Sequence, residues 1–213
     1  MFTQTLLPDT LRGLKDLNKI SFINQCYLAG GTALALQIGH RISVDLDFFT
    51  KTDFNEVEIS AELAKLDRFK LERTPYKTIL GWIGETRFSL FYYPYPVIDK
   101  LIPYEGVNLL GIKDLSAMKI HALEDRGTKR DFVDIFFLTK HFSLDQMLEF
   151  YDQKYNCLND HLFNIVKSLN YFEDAENDKM PRMVTEVSWD KIKQYFEKEV
   201  IKLSKDKLGL HTR

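Results

Sequence analysis

The chain has 213 residues, 45% of them hydrophobic and 28% charged, enough apolar material for one sizeable core or one core with a helical appendage. Its 29 Lys and Arg against 31 Asp and Glu give a formal charge of −2, which excludes a chain-wide basic surface, so nucleic-acid binding would need a local patch. The longest apolar stretches, such as Phe88 to Tyr93, fall far short of the roughly 18 residues that cross a bilayer, and no membrane span is expected. Met1 to Gln4 carry no basic region leading into an apolar core, so no secretory signal is visible and a cytoplasmic location is expected. Cys26 and Cys157 form neither a metal-ligand pair nor a disulfide framework and read as packed or idle thiols.

In chain order, Thr10 to Gln25 place Leu11, Leu14, Leu17 and Ile20 at helical spacing after Pro8-Asp9, which predicts an amphipathic first helix. Cys26 to Ala29 reads as a short buried strand. It runs into Gly30-Gly31-Thr32 and then a helix-forming run from Ala33 to Ile38 that Gly39 ends. Ile42 to Phe49 alternates polar and apolar residues, the period of a strand with one wet face, so Asp45 and Asp47 point the same way. A helix is expected over Glu56 to Leu66. Strands follow near Lys70 to Arg73, Thr78 to Ile83 and Thr86 to Tyr93, with Gly84 at a turn, which suggests a mixed or antiparallel sheet.

From Lys113 the pattern turns helical: Lys113 to Arg126, Lys129 to His141, Leu144 to Tyr155, Leu158 to Tyr171 and Trp189 to Leu203. The acidic segment Glu173 to Asp178 lacks apolar periodicity and is expected to be an exposed loop. The resulting expectation is an α/β core over residues 1–110 followed by a helical region over 111–213.

Two stretches carry chemistry. Asp45 and Asp47, two apart on a strand, can hold a divalent cation together, because Mg²⁺ favours hard oxygen ligands and keeps water and phosphate oxygens in its remaining positions. Upstream, N–H groups at the start of the helix after Gly30-Gly31-Thr32 would point at an anion such as a triphosphate. Taken locally, the same glycines also fit an ordinary tight connection with Thr32 as helix N-cap. The second stretch runs from Asp114 to Asp134. Lys119, Ala122 and Arg126 share one helical stripe, so two cations flank a small residue and could reach phosphates. Asp131 and Asp134 share one face near the start of the next helix. A purely structural alternative has Thr128 capping that helix, Arg130 pairing with Asp134, and Asp114 serving as a first-turn acid.

The succession G-G-T-A-L, R-I-S-V-D-L-D-F-F and D-L-S-A-M-K-I-H-A-L-E-D-R-G-T-K-R-D-F-V-D resembles the AbiEii/AbiGii group of nucleotidyltransferases over roughly residues 25–140. These are toxin components of type IV toxin–antitoxin and abortive-infection systems, related to polymerase-β-like transferases. The resemblance implies a polymerase-β-like core with a mixed sheet and a C-terminal helical bundle. It further implies transfer of an NMP from an NTP, with Mg²⁺ or Mn²⁺, to an RNA acceptor such as tRNA, and a cognate antitoxin as partner. On that basis Gly31 and Thr32, with Gly30, match the phosphate element, Asp45 and Asp47 the metal pair, Lys119 and Arg126 the helical Lys…Arg motif, and Asp131 and Asp134 the terminal acidic motif.

The chain departs from the family pattern at the third carboxylate, which usually stands on a neighbouring strand; here Thr86 to Tyr93 offers Ser89. Glu85 would need a bulge to join the aspartates, and Asp131 or Asp134 could take the role instead. Three other readings stay open on the sequence: a nucleotide- or RNA-holding module of the same fold, protein nucleotidylation, and a D-x-D glycosyltransferase. Walker-type and dinucleotide glycine loops are absent from the sequence, and His40, His121, His141, His161 and His211 form no tight metal spacing. The tail from Trp189 to Arg213 holds seven Lys or Arg against four acids, which reads first as a solvated helix face and second as an RNA-backbone contact.

Overall fold

The computed structural model describes residues 1–209, so Leu210, His211, Thr212 and Arg213, the end of the basic tail, lie outside the described residues. The chain divides into two compact units, Met1–Ile112 and Lys113 onward.

The first unit is built on a mixed seven-stranded sheet of order β3-β4-β5-β2-β1-β7-β6. Its strands are β1 (Tyr27–Leu28), β2 (Leu46–Thr50), β3 (Phe69–Arg73), β4 (Thr78–Ile83), β5 (Thr86–Tyr92), β6 (Ile102–Tyr104) and β7 (Val107–Leu109). β1 pairs antiparallel with β2 and parallel with β7, while β2 pairs parallel with β5. In β2, Leu46, Phe48 and Thr50 are buried while Asp47 and Phe49 are half-buried, the alternation of a strand with one packed face.

Helix α1 (Pro8–Leu17) covers the packed face, and Leu14 and Leu17 are fully buried. Its Gly13 lies against Leu46 and Ile83, so closely that a Cβ there would stand 3.2 Å from the Leu46 side chain. Arg68 ties the start of β3 to this helix through Asp9 and, at 3.2 Å, Asp16. The expected first helix stops short: Ser21–Gln25 is a separate 3-10 segment, which lets Ile20 and Ile23 turn inward. Helix α2 (Gly30–Ile38) is apolar on most sides, with Ala33, Leu34, Ala35 and Leu36 fully buried. Helix α3 (Glu56–Leu63) is capped by the Asn55 side chain, which accepts from the Val57 and Glu58 amides. Sequence periodicity misses the β6–β7 hairpin, whose three-residue strands are too short to show a period. Its turn residues Glu105 and Gly106 both take positive φ, as a type I′ hairpin requires.

The second unit consists, among the described residues, of helices α4 (Ile112–Arg126), α5 (Lys129–Leu138), α6 (Leu144–Tyr155), α7 (Leu158–Ser168), α8 (Glu173–Glu176) and α9 (Trp189–Leu208). Phe132 of α5 is fully buried, with ring centroids of Phe172, Trp189 and Phe196 at 5.1, 5.6 and 5.3 Å. Asp114 is the first-turn acid of α4 but is fully buried, 2.7 Å from the equally buried Lys154 of α6. Such a pair is retained because losing either partner strands a charge in a dry interior.

The acidic segment is not a loop detached from the core. Its middle forms α8, Ala175 is buried, and the Glu176 and Asp178 carbonyls accept from Lys129 Nζ at 3.0 and 2.7 Å. The Glu176 carboxylate also accepts from the Trp189 indole and from Lys193 at 2.9 Å. Neighbouring cations and the burial of Ala175 recruit a stretch that lacks apolar periodicity of its own. Along α9, Ile192, Phe196 and Leu203 turn inward and Lys191, Lys198, Lys202, Lys205 and Lys207 face solvent, which matches the solvated-face reading.

Cys26 is 1% exposed, its thiol donates to the Phe22 carbonyl at 3.4 Å, and burial pushes its pKa up to about 12. It is a core residue. No helix of the described residues is long and apolar enough to cross a membrane.

Candidate active site

The predicted site residues fall into two constellations, one in each unit. In the first, β1 passes into α2 without a loop, because Ala29 donates its N–H to the Asp47 carbonyl at 2.9 Å and Gly30 turns the chain at φ +64°. The glycine pair is therefore the first turn of the helix rather than a connection before it. Thr32 is not the cap; it is 1% exposed, its hydroxyl donates to the Asp45 carbonyl, and the Ser43 hydroxyl lies 3.0 Å away. That link ties the segment ahead of β2 to the start of α2. Gly30, Gly31, Thr32, Asp45 and Asp47 are thereby brought together.

Each glycine makes room for one charged group. A Cβ at Gly30 would stand 3.0 Å from Asp47 Oδ2, and a Cβ at Gly31 would collide with the Arg41 guanidinium and stand 3.1 Å from Ser43 Oγ. Arg41 is only 4% exposed and donates to the Ile42 carbonyl at 3.1 Å. Sequence reasoning did not single it out, although it stands inside the R-I-S-V-D-L-D stretch; only the fold reveals that a buried cation backs the second glycine.

Asp45 and Asp47 are half-buried. As paired hard-oxygen donors beside a backbone cradle that a Cβ would fill, they suit Mg²⁺ or Mn²⁺. No group of three or more His, Cys, Asp or Glu among the described residues is placed to hold a metal, so an ion here would draw its other ligands from water and phosphate. Ser89, 5% exposed, pairs directly with Asp47 across the parallel β2–β5 ladder. Thus the position next to Asp47 carries a hydroxyl. Glu85 lies in the β4–β5 turn, and its amide donates to the α1 residue Asp9 at 2.8 Å.

Replacing Gly30 with alanine is expected to cost about 1–2 kcal/mol for the left-handed backbone, and to push the Asp47 carboxylate from its place. A displacement of that kind lowers transfer about 10- to 100-fold. Urea unfolding and a label-transfer assay on the same preparation check both effects.

In the second constellation, Lys119 of α4 places its ammonium 3.1 Å from Asp131 Oδ1 and 2.6 Å from Asp134 Oδ2, with both carboxylates fully buried on α5. Arg126 grips Asp131 through Nε at 2.9 Å and Nη2 at 3.0 Å, a bidentate pair, although 56% of its own side chain is exposed. Thr128 precedes α5 as its N-cap residue, but its hydroxyl donates to Asp131 Oδ2 at 2.6 Å and accepts from no backbone N–H. Asp134 takes Lys119 as partner, and Arg130 is exposed.

Burial pushes the Asp131 carboxyl up, but the Lys119 charge and the Arg126 and Thr128 contacts outweigh it and hold the pKa at about 2. The folded value lies below the ordinary 3.8, so this carboxylate contributes about 2 kcal/mol of stability above pH 4, lost as pH falls from about 4 to 2. The stability gap between wild type and Asp131→Asn, measured by urea unfolding, should narrow over that window; a constant gap would exclude the coupling.

With the geometry established, comparison with known proteins places the fold. Residues 12–103 match the family model for the nucleotidyl transferase AbiEii toxin of type IV toxin–antitoxin systems. An uncharacterized protein of Aquifex aeolicus, aq_aa25, is 34% identical over 201 residues, covering 92% of this chain and 96% of that one. Among solved structures, the nucleotidyltransferase toxin MenT4 of Mycobacterium tuberculosis superposes with a TM-score of 0.62 at 15% identity, over 91% of this chain and 81% of MenT4. The antibiotic-resistance factor ANT(2'')-Ia gives 0.53 at 12% identity, over 76% of this chain and 99% of its own. At these identities the likeness is one of fold, and the fold is that of polymerase-β-like nucleotidyltransferases. A mixed sheet carrying Asp47 beside a glycine-initiated helix agrees with it: the chain belongs to one family with aq_aa25, and its residues 12–103 carry the AbiEii nucleotidyl transferase match.

Proposed function

We propose that this nucleotidyltransferase moves an NMP from an NTP to an RNA acceptor such as a tRNA in the cytoplasm, and that a cognate antitoxin restrains it. Residues 1–110 form the catalytic core in this reading and 111–213 the helical region. The observation that carries it is the packing of the Asp47 carboxylate against Gly30 at the first turn of α2, with the Asp45 carbonyl tied to Thr32 of the same turn. Carboxylates and helix-start amides are the complementary halves of a site for a cation-bound triphosphate.

Asp45 and Asp47 hold the divalent ion. When bound, the ion neutralises triphosphate charge and steadies the attacking and leaving oxygens of an in-line displacement at the α-phosphorus. The amides at Gly30, Gly31 and Thr32 receive phosphate oxygens, and Lys119 and Arg126 contact the nucleotide. Asp131 orients Lys119 and Arg126, since its carboxyl, held near 2, is poorly matched to taking up a proton at neutral pH, and Asp134 holds Lys119 from its other side. An acceptor hydroxyl forms the new phosphoester bond and pyrophosphate leaves.

The test is incubation of the full chain with each labelled NTP, Mg²⁺ and total cellular RNA. Label on RNA that disappears with a chelator and with Asp45→Ala or Asp47→Ala is the expected result. Label appearing on protein alone would replace the RNA acceptor with a Ser, Thr or Tyr hydroxyl, and transfer unchanged in both variants would sink the site assignment.

A further inference from the structure

The sheet face that carries Asp47 continues across β5, β4 and β3, and there it is basic and aromatic. Asp47 pairs with Ser89 in the parallel β2–β5 ladder, and Arg87 stands two residues before Ser89 on the same face of β5. Arg87 pairs with Trp82 across the β4–β5 hairpin, and Trp82 pairs with Lys70 of β3. Directly paired residues share a face, so Lys70, Trp82 and Arg87 form one row on the face that carries Asp47. The row lies opposite the face on which α1 packs through Gly13 onto Leu46 and Ile83. Strand spacing puts Trp82 about 10 Å and Lys70 about 14 Å across the sheet from β2.

Trp82 is 39% exposed, and Lys70 and Arg87 are exposed as well. Among the described residues neither cation has an ion-pair partner, and the Trp82 ring stacks on no other ring. A large indole left open to solvent, flanked by two unneutralised cations, is what a single nucleic-acid strand needs: a flat surface for a base and positive charge for the phosphates on either side. A polypeptide acceptor supplies neither the stacking base nor the regular negative charge.

We propose that this row is the docking track for the single-stranded end of the RNA acceptor. A base stacks on Trp82, Arg87 and Lys70 hold the adjoining phosphates, and the strand end is directed to Asp47. The proposal rests on the RNA-acceptor reading above and adds the residues that select a single strand.

The experiment measures binding of a 5′-fluorescein single-stranded oligoribonucleotide to the full chain by anisotropy over a range of salt, with NTP·Mg²⁺ binding measured in parallel by calorimetry. Trp82→Ala is expected to weaken RNA binding about tenfold or more while Trp82→Phe keeps most of it. Arg87→Ala and Lys70→Ala, at exposed positions that cannot disturb the core, should each weaken binding and reduce the slope of log K against log salt by about 0.7. NTP binding should not change in any of the four. If wild type labels and binds RNA but all four variants bind it equally well, the track is wrong and the acceptor class stands. If wild type neither binds nor labels RNA yet labels a protein, the acceptor reading and the track fall together.

Discussion

Asp47→Asn is expected to lower the rate of nucleotide transfer by about a thousandfold or more at saturating NTP and Mg²⁺, which corresponds to about 4 kcal/mol of lost transition-state stabilisation. The substitution keeps the shape of the side chain against Gly30 and removes one of the two charges that would hold a cation there. Asp47 is half-buried, and a thermal melt of the variant reads its effect on the fold apart from its effect on the rate. Asp45→Asn should behave alike. Ser89→Ala, by contrast, removes only a hydroxyl beside Asp47 and should cost less than tenfold if serine takes no part in proton transfer. Single-turnover label transfer together with thermal melts separates these outcomes, and an Asp47→Asn protein retaining a tenth of the wild-type rate would refute its assignment as a metal ligand.

Lys119→Met should produce the largest loss of stability, about 3–5 kcal/mol, because it removes the cation lying between two fully buried carboxylates. Arg126→Ala should cost only about 1 kcal/mol, since 56% of the arginine side chain is in water and Lys119 remains on Asp131. The two cations thus differ in what they can report. Loss of Lys119 confounds folding with nucleotide binding, whereas Arg126→Ala should leave a folded protein whose KM for NTP rises about tenfold, the effect of one charge-assisted hydrogen bond. Urea midpoints establish the first difference and steady-state kinetics the second. A Lys119→Met protein that unfolds at the wild-type midpoint would show that the buried cluster contributes nothing to the fold.

The locally encoded parts of this protein were legible in its sequence. Period-2 alternation over Ile42 to Phe49 located β2 only in part, since the strand begins at Leu46 and leaves Asp45 in the segment ahead of it, held there by Thr32, while the apolar stripes of α4, α5 and α6 located those helices to within a few residues. Glu56–Leu63 and the three strands from Phe69 to Tyr92 also followed from periodicity and turn residues. Residue order alone brought Gly30, Asp45 and Lys119 forward as site candidates, because their chemistry follows from residue type and spacing. Decisions that depend on long-range register were not legible. The two-residue β1 and the β6–β7 hairpin are too short to carry a period, yet they complete the sheet. Pairing alone sets Ser89 beside Asp47 and places Lys70, Trp82 and Arg87 in one row on the Asp47 face. Likewise, the acidic segment became α8 only because Lys129, Trp189 and Lys193 were folded around it. Local propensity is written in a few consecutive residues, whereas strand register and the burial of charge depend on which distant partners arrive, and tertiary structure alone supplies those.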